Sequence, residues 1–508
     1  IRAAIQAAHG VNIRFVIWAG MGGSIEDKTA YNAAGLLKGG PMFYSLDSTD
    51  PAKLHAIVDD MVARTREPIQ RLLPATLIVG MAMGMTSREP VVNLEKLAGL
   101  YDKFKIDSTA NFIYMTLPGS VLDRFAEPRG YRRVPLQPDN GNTTAGRHSA
   151  PLTRGSLYPL ALAGRDLKAW IEATFLSDEE IADAFKLAAF LHAEGEAGRD
   201  KVVLLLPRSW RAADLWTKQN VEESLGKSED LGIKIVIGEI PQPANRHKPS
   251  HPRQDRVFLA VQIKGEQHPN GDGITALRGA GYPIAILTFA RKAQLSAYMQ
   301  FIHYVVFALG YLRKMNFVTQ PSVELYKSIA ADIYARGVRE SREWRELANS
   351  KRWRGVISND TPDALAGALR SAAAARRIEY GELTFFGDMR YSESGHAVRG
   401  ILEMAAQRIF RSKLKMPVDI YEGPAMNHSY HEMIIGHGKC FSIVILSLEQ
   451  ARYNTAAYEP DYHIAQFLAT KIALEQRHRT VRAILVKGLS PESLAILEEF
   501  FAAAATAL

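Results

Sequence analysis

The feature that most limits how this chain can fold is its alternation of short apolar runs with helix-length intervals. Phe15 to Trp18, MFYSLD (42–47), TLIVGMAM (76–83), FIYMTLP (112–118) and RRVPLQP (132–138) each read as a strand, short and bounded by glycine, proline or polar turns. Parallel neighbours need a crossover long enough to hold a helix, so the alternation predicts an α/β fold with mainly parallel sheets. It begins again after a helical stretch at 178–194, with KVVLLLP (201–207), IKIVIGE (232–238), VFLAVQI (257–263) and PIAILTF (283–289). A third portion carries IEYGELTFFG (378–387), FSIVILSL (441–448) and VRAILVKG (481–488), beyond a basic, helical and solvated region at 336–354.

Composition narrows the function. With 508 residues, 47% apolar and 23% charged, the chain has ample material for a core. Its net charge of +8 favours anionic ligands weakly. There is no lysine-rich tail and no basic run interleaved with aromatics, so no nucleic-acid partner is expected. One cysteine, Cys440, excludes an internal disulfide and a cysteine-based metal cluster, and fits a cytoplasmic protein. No signal-peptide pattern is visible, and Ile1 in place of Met points to a natural start further upstream. AYMQFIHYVVFALGYL (297–312) contains Gln300 and His303 and is shorter than the ~20 residues a span needs, so a buried helix and no membrane partner are expected.

Open α/β sheets bind ligands beyond the carboxyl ends of their strands, which directs attention to the turns there. In GMGGS (20–24) the glycines let the backbone bend and a ligand approach its N–H groups, while Ser24 can cap a helix or donate to a phosphate oxygen. The spacing is neither a dinucleotide fingerprint nor a Walker loop. MGMTSREP (83–90) offers Thr86, Ser87 and Arg88 beside Glu89, and GNTTAGRHS (141–149) offers Arg147. Hydroxyls and an arginine at one sheet edge suit a phosphate ester; plain turn chemistry would use the same residues. NVEESLGK (220–227) places Glu222 and Glu223 at a helix end, as a general base in a cleft or as a solvated face. TQPSVELYK (319–327) starts a helix at Pro321 and sets Val323 and Lys327 on one face.

Taken in order, GMGGS, LDSTDP (46–51), TSREP, AGRHS, EESLGK and TQPSVELYK resemble the glucose-6-phosphate isomerase family, in particular the isomerase half of bacterial fusions in which transaldolase precedes it. The resemblance implies two flavodoxin-like three-layer α/β/α sandwiches, the sugar isomerase domains, at 1–165 and 166–345, followed by a C-terminal α/β portion at 346–508. It further implies a phosphorylated sugar substrate, no metal or organic cofactor, and an active site between the domains completed in a homodimer. Whether a transaldolase domain precedes Ile1 is left open.

By the same resemblance, Glu223 is the carboxylate that moves a proton between the first two sugar carbons, Arg147 lies beside the enediolate, and Lys327 lies near the ring oxygen. Glu222 is expected to be dispensable. GPAMNHSYHEM (423–433) supplies His428 as a candidate ring-opening relay, with His431, His303 and a purely structural histidine as alternatives. The phosphate set is Gly22, Gly23, Ser24, Thr86 and Ser87. One departure stands out: where the family reads serine, lysine, then serine or threonine, this chain has Ala82, Met83 and Gly84, so phosphate binding is expected to weaken unless Arg88 or another cation substitutes. The implied reaction interconverts glucose 6-phosphate and fructose 6-phosphate through an enediolate. The alternative is a sugar-phosphate-binding or regulatory protein of the same fold, or an isomerase with an altered substrate.

Overall fold

The computed structural model describes residues 1–137, 146–290, 294–358, 360–449 and 461–508, and in it the apolar runs form three sheets, one in each third of the chain. The first contains β1 (Phe15–Ala19), β2 (Met42–Leu46), β3 (Thr76–Met81), β4 (Phe112–Met115) and β5 (Arg132–Arg133) in the all-parallel, flavodoxin-like order β2-β1-β3-β4-β5. The second contains β6 (Lys201–Leu205), β7 (Lys234–Val236), β8 (Arg256–Ile263) and β9 (Ile284–Phe289) in the order β7-β6-β8-β9, again all parallel.

The C-terminal portion proves to be a third sandwich of the same winding. The short strands β10 (Arg352–Trp353) and β11 (Val356–Ser358) form an antiparallel edge, and β12 (Tyr380–Phe386), β13 (Val418–Gly423), β14 (Cys440–Ser447) and β15 (Thr480–Val486) run parallel in the order β13-β12-β14-β15. Every residue of β1, β3, β4, β6, β12 and β14 is buried. Helices cover both faces of these sheets, which is why the sequence shows continuous apolar runs instead of strict alternation. β5 is shorter than the run RRVPLQP suggests, because Pro135 has no N–H to donate to a ladder.

Helix Leu295–Leu312 is long and apolar enough to cross a membrane by length and composition. Its Tyr298, Phe301, Ile302 and Val305 pack into the core shared by the first and second sandwiches. In the region expected to be solvated, helix Arg342–Ala348 turns Trp344 and Leu347 inward.

The seams between the sandwiches are ionic. Lys53 of the first pairs with Asp47 and, at 3.2 Å, with Glu422 of the third, while Arg390 pairs with Asp47 at 3.1 Å and with Glu422 at 2.5 Å. Glu222 belongs to a second such cluster, a structural role separate from the proton transfer for which it is expected to be dispensable. Its fully buried Oε1 accepts from Lys218 (2.7 Å), Lys234 (2.9 Å) and the Ile235 N–H (2.9 Å), and both lysines also pair with Asp419 of β13. Two positive and two negative charges balance in the buried interior. Removing one partner leaves an uncompensated buried charge, a change that costs about 3–5 kcal/mol. Glu222→Gln is therefore expected to lower the denaturant midpoint markedly, whereas the exposed Glu346→Gln leaves it unchanged; chemical denaturation followed by circular dichroism checks both.

Candidate active site

In a sheet ordered β2-β1-β3-β4-β5, the chain leaves β1 and β3 toward opposite faces, and a crevice opens between the turns that follow them. Met21, Gly23 and Ser24 after β1, and Met81 at the end of β3 with Ala82 to Gly84 and Ser87 after it, line a cleft of about 130 Å³ there. Arg147, Glu223, Lys327 and His428 line the same cleft, although they come from distant parts of the chain.

The two central glycines make this convergence possible. A Cβ on Gly22 would stand 2.5 Å from the His428 carbonyl oxygen, and one on Gly23 would stand 2.4 Å from the Gly146 carbonyl carbon and 2.5 Å from the Arg147 nitrogen. Gly22 also has φ 51°, a left-handed conformation that favours glycine. Gly22 itself stays behind the cleft wall and acts through this packing. The turn is fixed from beneath by the Trp18 indole, which donates to the Ser24 carbonyl at 3.1 Å.

Arg147 and Glu223 are buried side by side. The arginine donates through Nη1 to Glu223 Oε1 at 3.4 Å, through Nε to Ser224 Oγ at 2.8 Å, and through Nη2 to the carbonyls of Phe317 and Val318. Gln219, one helical turn before Glu223, donates to its other oxygen at 2.9 Å. Burial pushes the Glu223 carboxyl above the ordinary carboxylate range, against the pull of Arg147 and Gln219.

Of the three candidate histidines only His428 lines the cleft. Its Nε2 lies 2.9 Å from Glu89 Oε1, which also accepts from Gln466 at 3.0 Å. Burial alone would raise Glu89, but the charge and hydrogen bond of His428 carry it down to about 2. His431 is held by Glu382 in the core of the third sandwich, at 2.8 Å. His303 packs against His148 and Trp216, and burial, helped by Arg147, lowers it to about 4.

Thr86 and Arg88 have exposed side chains and do not line the cleft, so only Ser87 of that trio reaches it. The cation that does stand beside residues 82–84 is Lys327. Its Nζ would lie 3.6 Å from a Cβ on Gly84, which would itself stand 3.2 Å from Ser87 Oγ. Lys327 is carried by helix Pro321–Arg336 and pairs with Glu324 at 2.8 Å. Glu432 anchors the start of that helix, accepting from the N–H groups of Ser322 (3.0 Å) and Val323 (3.2 Å). Burial raises Glu432 to about 7. Glu89, Gln219, Ser224 and Glu432 had no signal of their own in sequence beyond adjacency to the motifs. Among the described residues, no three His, Cys, Asp or Glu side chains are grouped to hold a metal ion.

A glucose-6-phosphate isomerase from Prochlorococcus marinus strain MIT 9313 is 26% identical over 370 residues, 66% of this chain and 65% of that protein. Those from P. marinus strain SARG and from Acaryochloris marina are 28% and 29% identical, over 46% of this chain and 43% and 44% of theirs. The chain is similar to glucose-6-phosphate isomerases. The matches span between 43% and 65% of those relatives' lengths. No family model matches the chain. A hypothetical protein from Thermus thermophilus, 22% identical, superposes with a TM-score of 0.53 over 66% of this chain and 86% of its own, which shows a shared fold.

The glycine turn yields a local test. Gly23→Ala forces the 146–147 backbone away from the turn, an overpacking that costs about 1–3 kcal/mol. Its unfolding midpoint is expected to fall, while Gly99→Ala, whose Cβ meets nothing within 4 Å, is expected to hold or gain stability in the helix Glu89–Lys103.

Proposed function

We propose that this protein is an aldose–ketose isomerase acting on a phosphorylated sugar, with glucose 6-phosphate and fructose 6-phosphate as the leading substrate pair. The observation that carries the reading is the Glu223–Arg147 pair facing one cleft with Lys327 and His428. Moving a carbonyl between adjacent carbons needs one base that removes a carbon-bound proton and returns it to the neighbour, and a cation beside the oxygen that becomes negative between the steps. Glu223 suits the role of base, because Gln219 and Arg147 fix its carboxylate and burial strengthens its hold on a proton. Arg147 suits the role of cation, since its guanidinium is held rigidly by Ser224 and two carbonyls. The Glu89–His428 pair provides a proton relay for ring opening, and Ser24, Ser87 and Lys327 form the anion end of the cleft.

The homologues named glucose-6-phosphate isomerase support the same reading. A homodimer in the cytoplasm belongs to the proposal. The exposed apolar strip Phe307, Tyr311, Leu312 and Val318 offers a face for a second copy, and the single cysteine, Cys440, is buried. A second reading, a sugar-phosphate-binding protein or an isomerase of altered substrate, is favoured by the apolar wall of Met81, Ala82 and Met83, which offers a phosphate no charged donor.

A coupled assay converting fructose 6-phosphate to glucose 6-phosphate separates the two. Turnover by the wild type, reduced ~10²–10⁴-fold in Glu223→Gln, is expected; binding of the sugar phosphate without turnover would favour the second reading. The pH profile follows from the sign of the shift. The base must be ionised to act and its pKa is raised in the fold, so kcat/KM is expected to climb with pH through an inflection above the ordinary carboxylate range, and that limb is expected to vanish in Glu223→Gln.

A further inference from the structure

We propose that a second pocket, between the loop after β7 and the segment leading into β13, binds a phosphate group independently of the cleft. It is lined by Gly238, Glu239, Arg246, Arg256, Arg411 and Lys415, and its volume is about 150 Å³. Nothing in the isomerase reading uses it.

The floor of the pocket is a built arginine clamp. Arg246 and Arg256, whose side chains are 5% and 7% exposed, hold Glu239 from both sides at 2.9 and 3.3 Å. Arg256 also pairs with Asp255 and donates to the Lys415 carbonyl at 3.4 Å, and Arg246 donates to the carbonyls of Ile240 and Gln242, each at 2.9 Å. The acidic groups at the floor are therefore already engaged. Arg411 and Lys415 face the same pocket, and among the described residues neither side chain has a hydrogen-bond or ion-pair partner. The Nε atoms of Arg246, Arg256 and Arg411 are all buried without an acceptor.

Four cations thus share a pocket in which, among the described residues, Glu239 is the only acidic lining residue. Buried positive charge and unpaired donors are costly unless an anion completes them. Two unpaired cations at the rim match a dianion, and guanidinium groups match the paired oxygens of a phosphate. The wall that carries Arg411 is a nine-residue π-helix, Ala406–Leu414, in which Gln407 donates to Ser412 five residues on, at 3.1 Å. This wide turn is uncommon and is frequent at functional sites.

The test is calorimetric titration of the full chain with inorganic phosphate, alongside Arg411→Gln/Lys415→Gln and Lys327→Met variants. The first variant leaves the clamp intact, and the second removes the cation of the cleft. One phosphate site is expected to survive Lys327→Met and to weaken about tenfold or more in Arg411→Gln/Lys415→Gln, with recovery in Arg411→Lys/Lys415→Arg. Titrating glycerol 3-phosphate into the Lys327→Met protein then identifies the source: binding at least as tight as that of phosphate assigns a phosphorylated metabolite, and binding of phosphate alone assigns the free ion. Loss of all phosphate binding in Lys327→Met, or unchanged binding in Arg411→Gln/Lys415→Gln, would overturn the proposal. Neither result depends on whether the cleft isomerises sugars.

Discussion

Gly22 and Gly23 present hydrogen where any other residue would place a Cβ, and the backbone at His428 and at Gly146–Arg147 occupies that space. The rest of the cleft depends on this contact. It brings the turn after β1, the segment after β5 and the segment after β13 within backbone distance, so that Arg147 and His428 meet residues more than a hundred positions away. Glycine at such a turn is commonly read as room for a ligand. Here most of that room is filled by the protein's own chain, and Ser24, Ser87 and Lys327 remain to meet an anion.

The strands and the opening turn were legible because their signals are local, short buried runs and glycine, although Ser24 caps no helix: the helix Glu26–Ala33 starts from Ile25 without a side-chain cap. The residue types of the candidate base, arginine and lysine were legible through the ordered motifs. What was not legible rests on distance. The motif match singled out Glu223 over its neighbour Glu222, but nothing local showed that Glu222 faces Lys218 and Lys234 while Glu223 faces Arg147 and the cleft. Arg88 sits in the right motif and points to solvent, whereas Lys327, more than two hundred residues on, comes to the rim of the same turn. Three of the four parallel strands of the C-terminal sandwich were legible as apolar runs; β13 was not, because its run, MPVDIYEG, is broken by two acidic residues three positions apart, Asp419 and Glu422, which pair with lysines and arginine of the other two sandwiches and of the third itself.

Those ionic seams carry a consequence for the site. Lys53, Lys201, Lys218 and Lys234 are all fully buried, and each pairs with a carboxylate of the C-terminal sandwich: Glu422, Glu379 and Asp419. Buried ion pairs add little net stability over apolar contacts, but they penalise misaligned packing heavily, because a shifted partner leaves a bare charge. A seam of this kind fixes how the three sandwiches face one another, and the cleft, which draws residues from all three, requires that fixed relation. Apolar seams would tolerate sliding that the Arg147–Glu223 contact and the Glu89–His428 pair would not.

In the function proposed above, Glu223, held against Arg147, carries a proton between adjacent carbons of a sugar phosphate. Solvent exchange tests it most directly. Fructose 6-phosphate incubated with the wild-type protein in heavy water should yield glucose 6-phosphate carrying deuterium at the second carbon, and with Glu223→Gln neither sugar should acquire it. Deuterium incorporation at the wild-type rate in Glu223→Gln, or none by a wild-type protein that binds the sugar, would contradict the account.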